Sequence, residues 1–156
     1  MSERIAAENR KARHDYFLFD KYECGIELKG SEVKSIREGR VNLKDSYVRV
    51  MNGEIFVVNL HIANYSYTHH FIPDPVRTRK LLLKKREIEK LTGELTRKGF
   101  VCVPLQVYFK RNFVKLQIAL AKKKKEFDKR QVLKERIQER EMREASKHNL
   151  RSGKYK

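Results

Sequence analysis

The chain has 156 residues, 40% of them hydrophobic, which is enough for one domain with a core and too few for two. Lys and Arg number 37 against 20 Asp and Glu, and a net charge of +17 attracts polyanions and exceeds what solubility alone needs. No apolar run approaches the roughly 18 residues of a membrane span, the polar first 13 residues lack signal-peptide character, and Cys24 and Cys102 sit in apolar runs without metal-ligand spacing, so a cytosolic chain with reduced, buried cysteines is expected.

A first strand is expected through Tyr16 to Leu28, with Phe17, Phe19, Ile26 and Leu28 apolar and Gly25 at a bulge or bend. Ser31 is a candidate N-cap for a short helix that carries Val33 and Ile36 and stops at Gly39. Asn52-Gly53, between the runs 47–51 and 54–62, is the dipeptide best suited to a tight hairpin turn. Asp74-Pro75 reads as a capped turn, either separate or the early start of a second helix. That helix carries Ile88, Leu91 and Leu95 and ends at Gly99.

Strict alternation then predicts a hairpin with one face on the core. Val101, Val103, Leu105, Val107 and Phe109 make its first arm, Lys110-Arg111-Asn112 the turn, and Val114, Leu116, Ile118 and Leu120 the second arm. Strands with inserted helices point to a mainly β protein. The expected fold is an OB-like antiparallel β-barrel of about six strands with two or three flanking helices.

The barrel is assigned to residues 1–121 and a basic C-terminal tail to 122–156. The tail holds 14 Lys and Arg against 6 Asp and Glu, a net +8, around the thin apolar stripe Phe127, Val132, Leu133, Ile137 and Met142. A segment of this kind is expected to be disordered when free and helical on a polyanion.

Catalytic motifs are not found. His14-Asp15, and His61 with His69-His70, have neither acid–base nor metal-ligand spacing, and there is no P-loop or nucleophile elbow. No enzyme activity, cofactor or metal is expected. Arg77, Arg79, Lys80, Lys84, Lys85 and Arg86 flank Leu81-Leu82-Leu83, and together with Lys122–Lys125 they suggest phosphate contact. Tyr16, Tyr22, Tyr65 and Tyr67 divide between stacking on unpaired bases and packing the core. From the residues alone, a generic OB-type RNA-binding or ribosomal protein stays open.

A more specific pattern runs through the chain. Asn9-Arg-Lys-Ala-Arg-His-Asp-Tyr16, Tyr22-Glu-Cys-Gly-Ile-Glu-Leu28, Lys29-Gly-Ser-Glu-Val-Lys-Ser-Ile-Arg37 and Gly39-Arg-Val-Asn-Leu-Lys-Asp-Ser46 follow one another. Asp74-Pro75, Arg79-Lys-Leu-Leu-Leu83, Arg86-Glu-Ile88, Pro104-Leu105, Tyr108, Ala119-Leu-Ala121 and Asp128-Lys-Arg130 come after them in order. Together they closely resemble the bacterial SsrA-binding (SmpB) family, the partner of transfer-messenger RNA (tmRNA) in trans-translation.

The resemblance implies a non-catalytic OB-like barrel that binds the tRNA-like domain of tmRNA as a monomer, one protein to one RNA. It implies delivery to stalled 70S ribosomes in the cytoplasm, with elongation factor Tu and GTP acting through alanyl-tmRNA. Asn9, Glu23 and Leu82 occupy positions that the family uses for tmRNA binding, and Lys34, Arg37, Lys122, Lys124 and Lys125 are grouped with them. Phe127, Asp128, Lys129, Arg130, Lys134 and Arg136 are expected at the decoding centre, beside small-subunit rRNA, and in the vacant mRNA channel. Cys24, Lys84, Lys123 and Phe127 depart from the family's usual Ala, His, Gly and His.

Overall fold

Two tight turns pin the register of the sheet. Asn52 and Gly53, at φ 53° and 75°, close the hairpin between β4 (Tyr47–Met51) and β5 (Glu54–Val58), with Met51 opposite Glu54. Arg111 and Asn112, at φ 50° and 68°, do the same between β8 (Val101–Lys110) and β9 (Phe113–Lys123), with Lys110 opposite Phe113. Positive φ at both central residues matches the natural twist of paired strands. Arg111 takes that conformation without glycine, at a cost of roughly 1–2 kcal/mol.

The computed structural model describes residues 4–67, 72–124, 137–138 and 140–144. The remaining elements are β1 (Arg4–Glu8), α1 (Arg10–Asp15), β2 (Tyr16–Ile26), α2 (Gly30–Arg37), β3 (Val41–Asn42), β6 (His61–Ile62), β7 (Arg79–Leu82) and α3 (Lys85–Leu95). Six strands form a ring in the order β8, β4, β5, β7, β2, β9, which closes where β9 pairs with β8. β1 lies along the far end of β8, and β3 and β6 make a separate two-stranded ladder. This is the expected OB-like barrel, and ring closure leaves few unpaired edges.

Helix ends follow local chemistry. Lys29, not Ser31, is the N-cap of α2, because the Glu32 carboxylate accepts the Lys29 N–H at 2.9 Å. Gly39, at φ 74°, ends α2: its N–H reaches the Ile36 carbonyl, and Arg40 N–H reaches that of Ser35. Asp74-Pro75 makes a separate turn, in which Asp74 Oδ1 accepts Val76 N–H at 3.0 Å, and β7 intervenes before α3.

The core has two parts. Cys24, Ile36, Ile55, Val57, Leu60, Leu81, Leu91, Val107, Leu116 and Ile118 form the main cluster. Ala12 of α1 packs with Val103, Leu105, Ala119 and Ala121 in a second one. The hairpin therefore buries both faces, which corrects the one-faced expectation. Pro104 pairs with Ile118 but Gln106 with Gln117, so a bulge at Leu105 shifts the parity of β8. Cys102 and Val107 thus share the main core, Val103 and Leu105 turn toward α1, and Val101 is exposed.

Both cysteines are free and buried; burial pushes the Cys24 thiol up to about 12 and that of Cys102 up as well. The chain divides into two compact units, Met1–Lys122 and Lys123–Lys156. Within the second unit, residues 137, 138 and 140–144 are helical and exposed. This helical stretch is in line with its run of good helix formers. The expected conformation of the rest of the tail lies outside the described residues.

Candidate nucleic-acid interface

The outer side of β2 and β7 carries an exposed apolar spot beside a cluster of charges. Gly25 pairs with Leu82, and a Cβ placed on Gly25 would sit 3.3 Å from the Leu82 Cβ. The glycine lets the two strands approach while Leu82 stays 49% exposed. Glu23 lies two residues before Gly25, hence on the same side of β2. Its carboxylate accepts from the Tyr108 hydroxyl and from Lys110 Nζ at 3.3 Å. The Tyr108 hydrogen bond holds the Glu23 carboxyl below its ordinary range against the opposing effect of burial, and Lys110 and Lys115 add to the lowering. Tyr108 and Lys115 are direct cross-strand partners. An ionised carboxylate, two lysines and an apolar contact thus share one side of the barrel.

Asn9 sits differently. It is 6% exposed, and its Oδ1 caps α1 by accepting Ala12 N–H at 3.1 Å. Its Nδ2 donates to the Pro104 carbonyl at 3.0 Å and the Leu43 carbonyl at 3.4 Å. Both ends of the amide are used inside the protein, so Asn9 positions α1 and the neighbouring backbone.

The basic run 77–86 also divides. Arg79 is fully buried and donates to Glu32 at 2.7 Å, to the Leu60 carbonyl at 2.6 Å and to the Pro75 carbonyl at 3.1 Å. Arg77 donates to both oxygens of Glu32, through Nη2 to Oε1 and through Nε at 3.1 Å to the Oε2 that Arg79 also holds. Burial raises the Glu32 carboxyl, but Arg77, the Lys29 N–H and Arg79 outweigh it and hold the group below its ordinary range. Burial in turn lowers the Arg79 guanidinium, against the opposing pull of Glu32. These two arginines tie α2 to the start of β7, a correction to their reading as phosphate contacts. Lys80 pairs with Glu54 at 3.0 Å, while Lys84, Lys85 and Arg86 are exposed.

Lys34 and Arg37 project from α2 into solvent. Lys34 Nζ stands 5.5 Å from the Tyr65 ring centroid, and Tyr65 meets Tyr67 edge to face at 5.4 Å. Tyr22 instead belongs to the core: its hydroxyl donates to Glu94, and burial, with Glu94 beside it, pushes its pKa up to about 12. Tyr16 packs on the second cluster. Phe19 and Phe100 form another edge-to-face pair, and Lys122 Nζ lies 4.4 Å from the Phe100 centroid.

Lys124 is half-buried. Lys125, Phe127, Asp128, Lys129, Arg130, Lys134 and Arg136 lie outside the described residues, as do His69 and His70. His14 pairs with Asp15 at 3.1 Å, and among the described residues no group of three His, Cys, Asp or Glu is placed to hold a metal. No described helix is long and apolar enough to cross a membrane.

Sequence reasoning passed over Tyr108, Lys110 and Lys115 as interface residues. The available signal was cross-strand: counting back from the Arg111-Asn112 turn puts Tyr108 opposite Lys115, but which strand brings Glu23 to them depends on barrel closure.

The family model described as SmpB protein matches residues 6–148. The SsrA-binding protein of Halothermothrix orenii is 51% identical over 148 residues, covering 95% of this chain and 96% of its own. That of Bacillus cereus is 52% identical over 141 residues, covering 90% and 91%. A solved structure described as "tmRNA-SmpB: a journey to the center of the bacterial ribosome" is 46% identical and superposes with a TM-score of 0.65, covering 76% of this chain and 83% of its own.

Proposed function

Since the chain belongs to the SmpB family, we propose that it binds the tRNA-like domain of tmRNA and delivers it to stalled ribosomes for trans-translation. The observation that supports this reading is the Glu23–Leu82 side of the barrel, where two residues that the resemblance implies for tmRNA binding lie together on one face.

The face has a division of labour. Leu82 and the flat backbone at Gly25 offer apolar surface to a ribose or base edge. Glu23 fixes Lys110 toward solvent and remains ionised at neutral pH, where it can also accept from a base amino group. Lys34 and Arg37 on α2, with Lys122 near the end of β9 and Lys124 and Lys125 after it, supply phosphate contacts. Asn9 serves the same RNA by holding α1 in place.

The barrel, residues 1–121, makes most of the tmRNA contacts, and the tail, residues 122–156, works on the ribosome beyond its first lysines, Lys122, Lys124 and Lys125, which also touch tmRNA. The tail's net +8 draws it to ribosomal RNA. Phe127, Asp128, Lys129, Arg130, Lys134 and Arg136 act at the decoding centre and in the vacant mRNA channel. The protein is a cytoplasmic adaptor and not a catalyst, it binds tmRNA one to one, and elongation factor Tu with GTP joins through the alanylated RNA.

Titration against tmRNA and against bulk tRNA at several salt concentrations tests the reading. Binding should favour tmRNA while weakening with salt for both RNAs. Equal affinity for the two would leave only a generic RNA-binding barrel.

A further inference from the structure

Tyr67 is 72% exposed, an unusual state for a large ring in a segment that is otherwise well tied down. Ala63 N–H donates to the Arg40 carbonyl at 3.0 Å, and Arg40 Nη1 donates to Ser66 Oγ, between the two tyrosines, at 3.1 Å. Both bonds tie the stretch that carries the ring to Arg40. Edge-to-face contact with Tyr65, at 63° between planes, fixes the pair while leaving ring surface of Tyr67 open.

The surrounding charge has one dominant sign. Lys34, Arg37 and Arg40 are all exposed, and Lys34 is already drawn to the Tyr65 ring. Glu38 meets Arg40 at 3.9 Å, and Glu32 is buried in its ion pairs with Arg77 and Arg79. An open aromatic face beside several cations suits an unstacked base with its phosphate: the ring takes the base and the cations take the charge. Duplex RNA keeps its bases stacked and offers no such partner.

We propose that Tyr67, braced by Tyr65, whose ring Lys34 approaches, is a stacking site for an unpaired nucleotide of tmRNA, separate from the Glu23–Leu82 face. This rests on the tmRNA reading above and adds a contact that distinguishes a looped RNA from a plain helix.

Three variants test it by tmRNA titration at several salt concentrations, with bulk tRNA as the comparison. Tyr67→Ala should weaken tmRNA binding on the order of tenfold while leaving the salt slope unchanged, because it removes stacking and no charge. Tyr67→Phe, which keeps the ring, should bind like the parent. Lys34→Ala should lower the salt slope by about one phosphate contact. Since Tyr67 is exposed, thermal melting of all three should match the parent.

If the parent prefers tmRNA but Tyr67→Ala binds it equally well, the stacking site is wrong and the tmRNA reading stands. If the parent shows no preference, both fall. Loss of activity on stalled ribosomes with tmRNA affinity untouched would assign the ring to ribosomal RNA and overturn the proposal.

Discussion

Glu23 holds Lys110 at 3.3 Å from the next strand but one, and the same carboxylate accepts the hydroxyl of Tyr108. The pairing accounts for an acidic residue on a surface meant for a polyanion. A lysine at the end of a strand samples many rotamers, and a fixed carboxylate limits them at little cost because the pair is exposed and weakly coupled.

Glu23→Arg should therefore weaken tmRNA binding about tenfold or more while the barrel stays folded. Glu23→Ala and Lys110→Ala, each alone, should do the same to a smaller degree. The double variant Glu23→Ala/Lys110→Ala should lose less than the two single losses added together, since both act through one contact. Strict additivity in the binding free energies would show that Glu23 and Lys110 serve independently.

The buried Glu32 is a stability element. Glu32→Gln leaves the fully buried Arg79 without its counter-charge and should cost about 3–5 kcal/mol in denaturant unfolding. Arg79→Lys should fail to rescue that geometry in an otherwise unchanged chain, because an ammonium cannot reproduce the guanidinium fork toward Glu32 and three carbonyls.

The same carboxyls set the acid limb of stability. Glu23 and Glu32 both titrate below the ordinary 4.5 in the fold, so the folded chain binds fewer protons than the unfolded one across that interval. Their contribution is complete above pH 4.5 and is lost as pH falls through the lowered folded values. Unfolding free energy measured from pH 6 downward should decline below about 4.5, and Glu32→Gln should flatten the decline.

Asn9→Ala removes a helix cap and two buried hydrogen bonds. It should cost about 1–3 kcal/mol, with tmRNA affinity and melting temperature falling together. Lost affinity at an unchanged melting temperature would instead make Asn9 a direct RNA contact.

Deleting residues from Lys122 onward should preserve most of the preference for tmRNA and abolish tagging of stalled chains. Loss of most tmRNA affinity on truncation would place the binding in the tail.

Much of this architecture is written locally. Asn52-Gly53 and Gly39 announce their turn and helix end because few residues tolerate positive φ, and the alternation of β9 survives intact from Leu116 to Leu120. The bulge at Leu105 is invisible to alternation, since an inserted residue looks like any other apolar one until the partner strand is counted. Arg79 misleads for a related reason: a basic run reads as solvated cations, and only the fold brings Glu32, more than forty residues away in sequence, against its guanidinium. Leu82 and Glu23 carry no local sign of sharing a face. That emerges from the β2–β7 pairing, which depends on long-range closure of the barrel.

The most direct measurement is the RNA that accompanies the full-length protein when it is isolated from a bacterial lysate at moderate salt and the bound RNA is sequenced. tmRNA should be enriched far above its share of cellular RNA, and Glu23→Arg should erase the enrichment. A bound pool that mirrors the tRNA and rRNA of the lysate, unchanged by that substitution, would contradict the account.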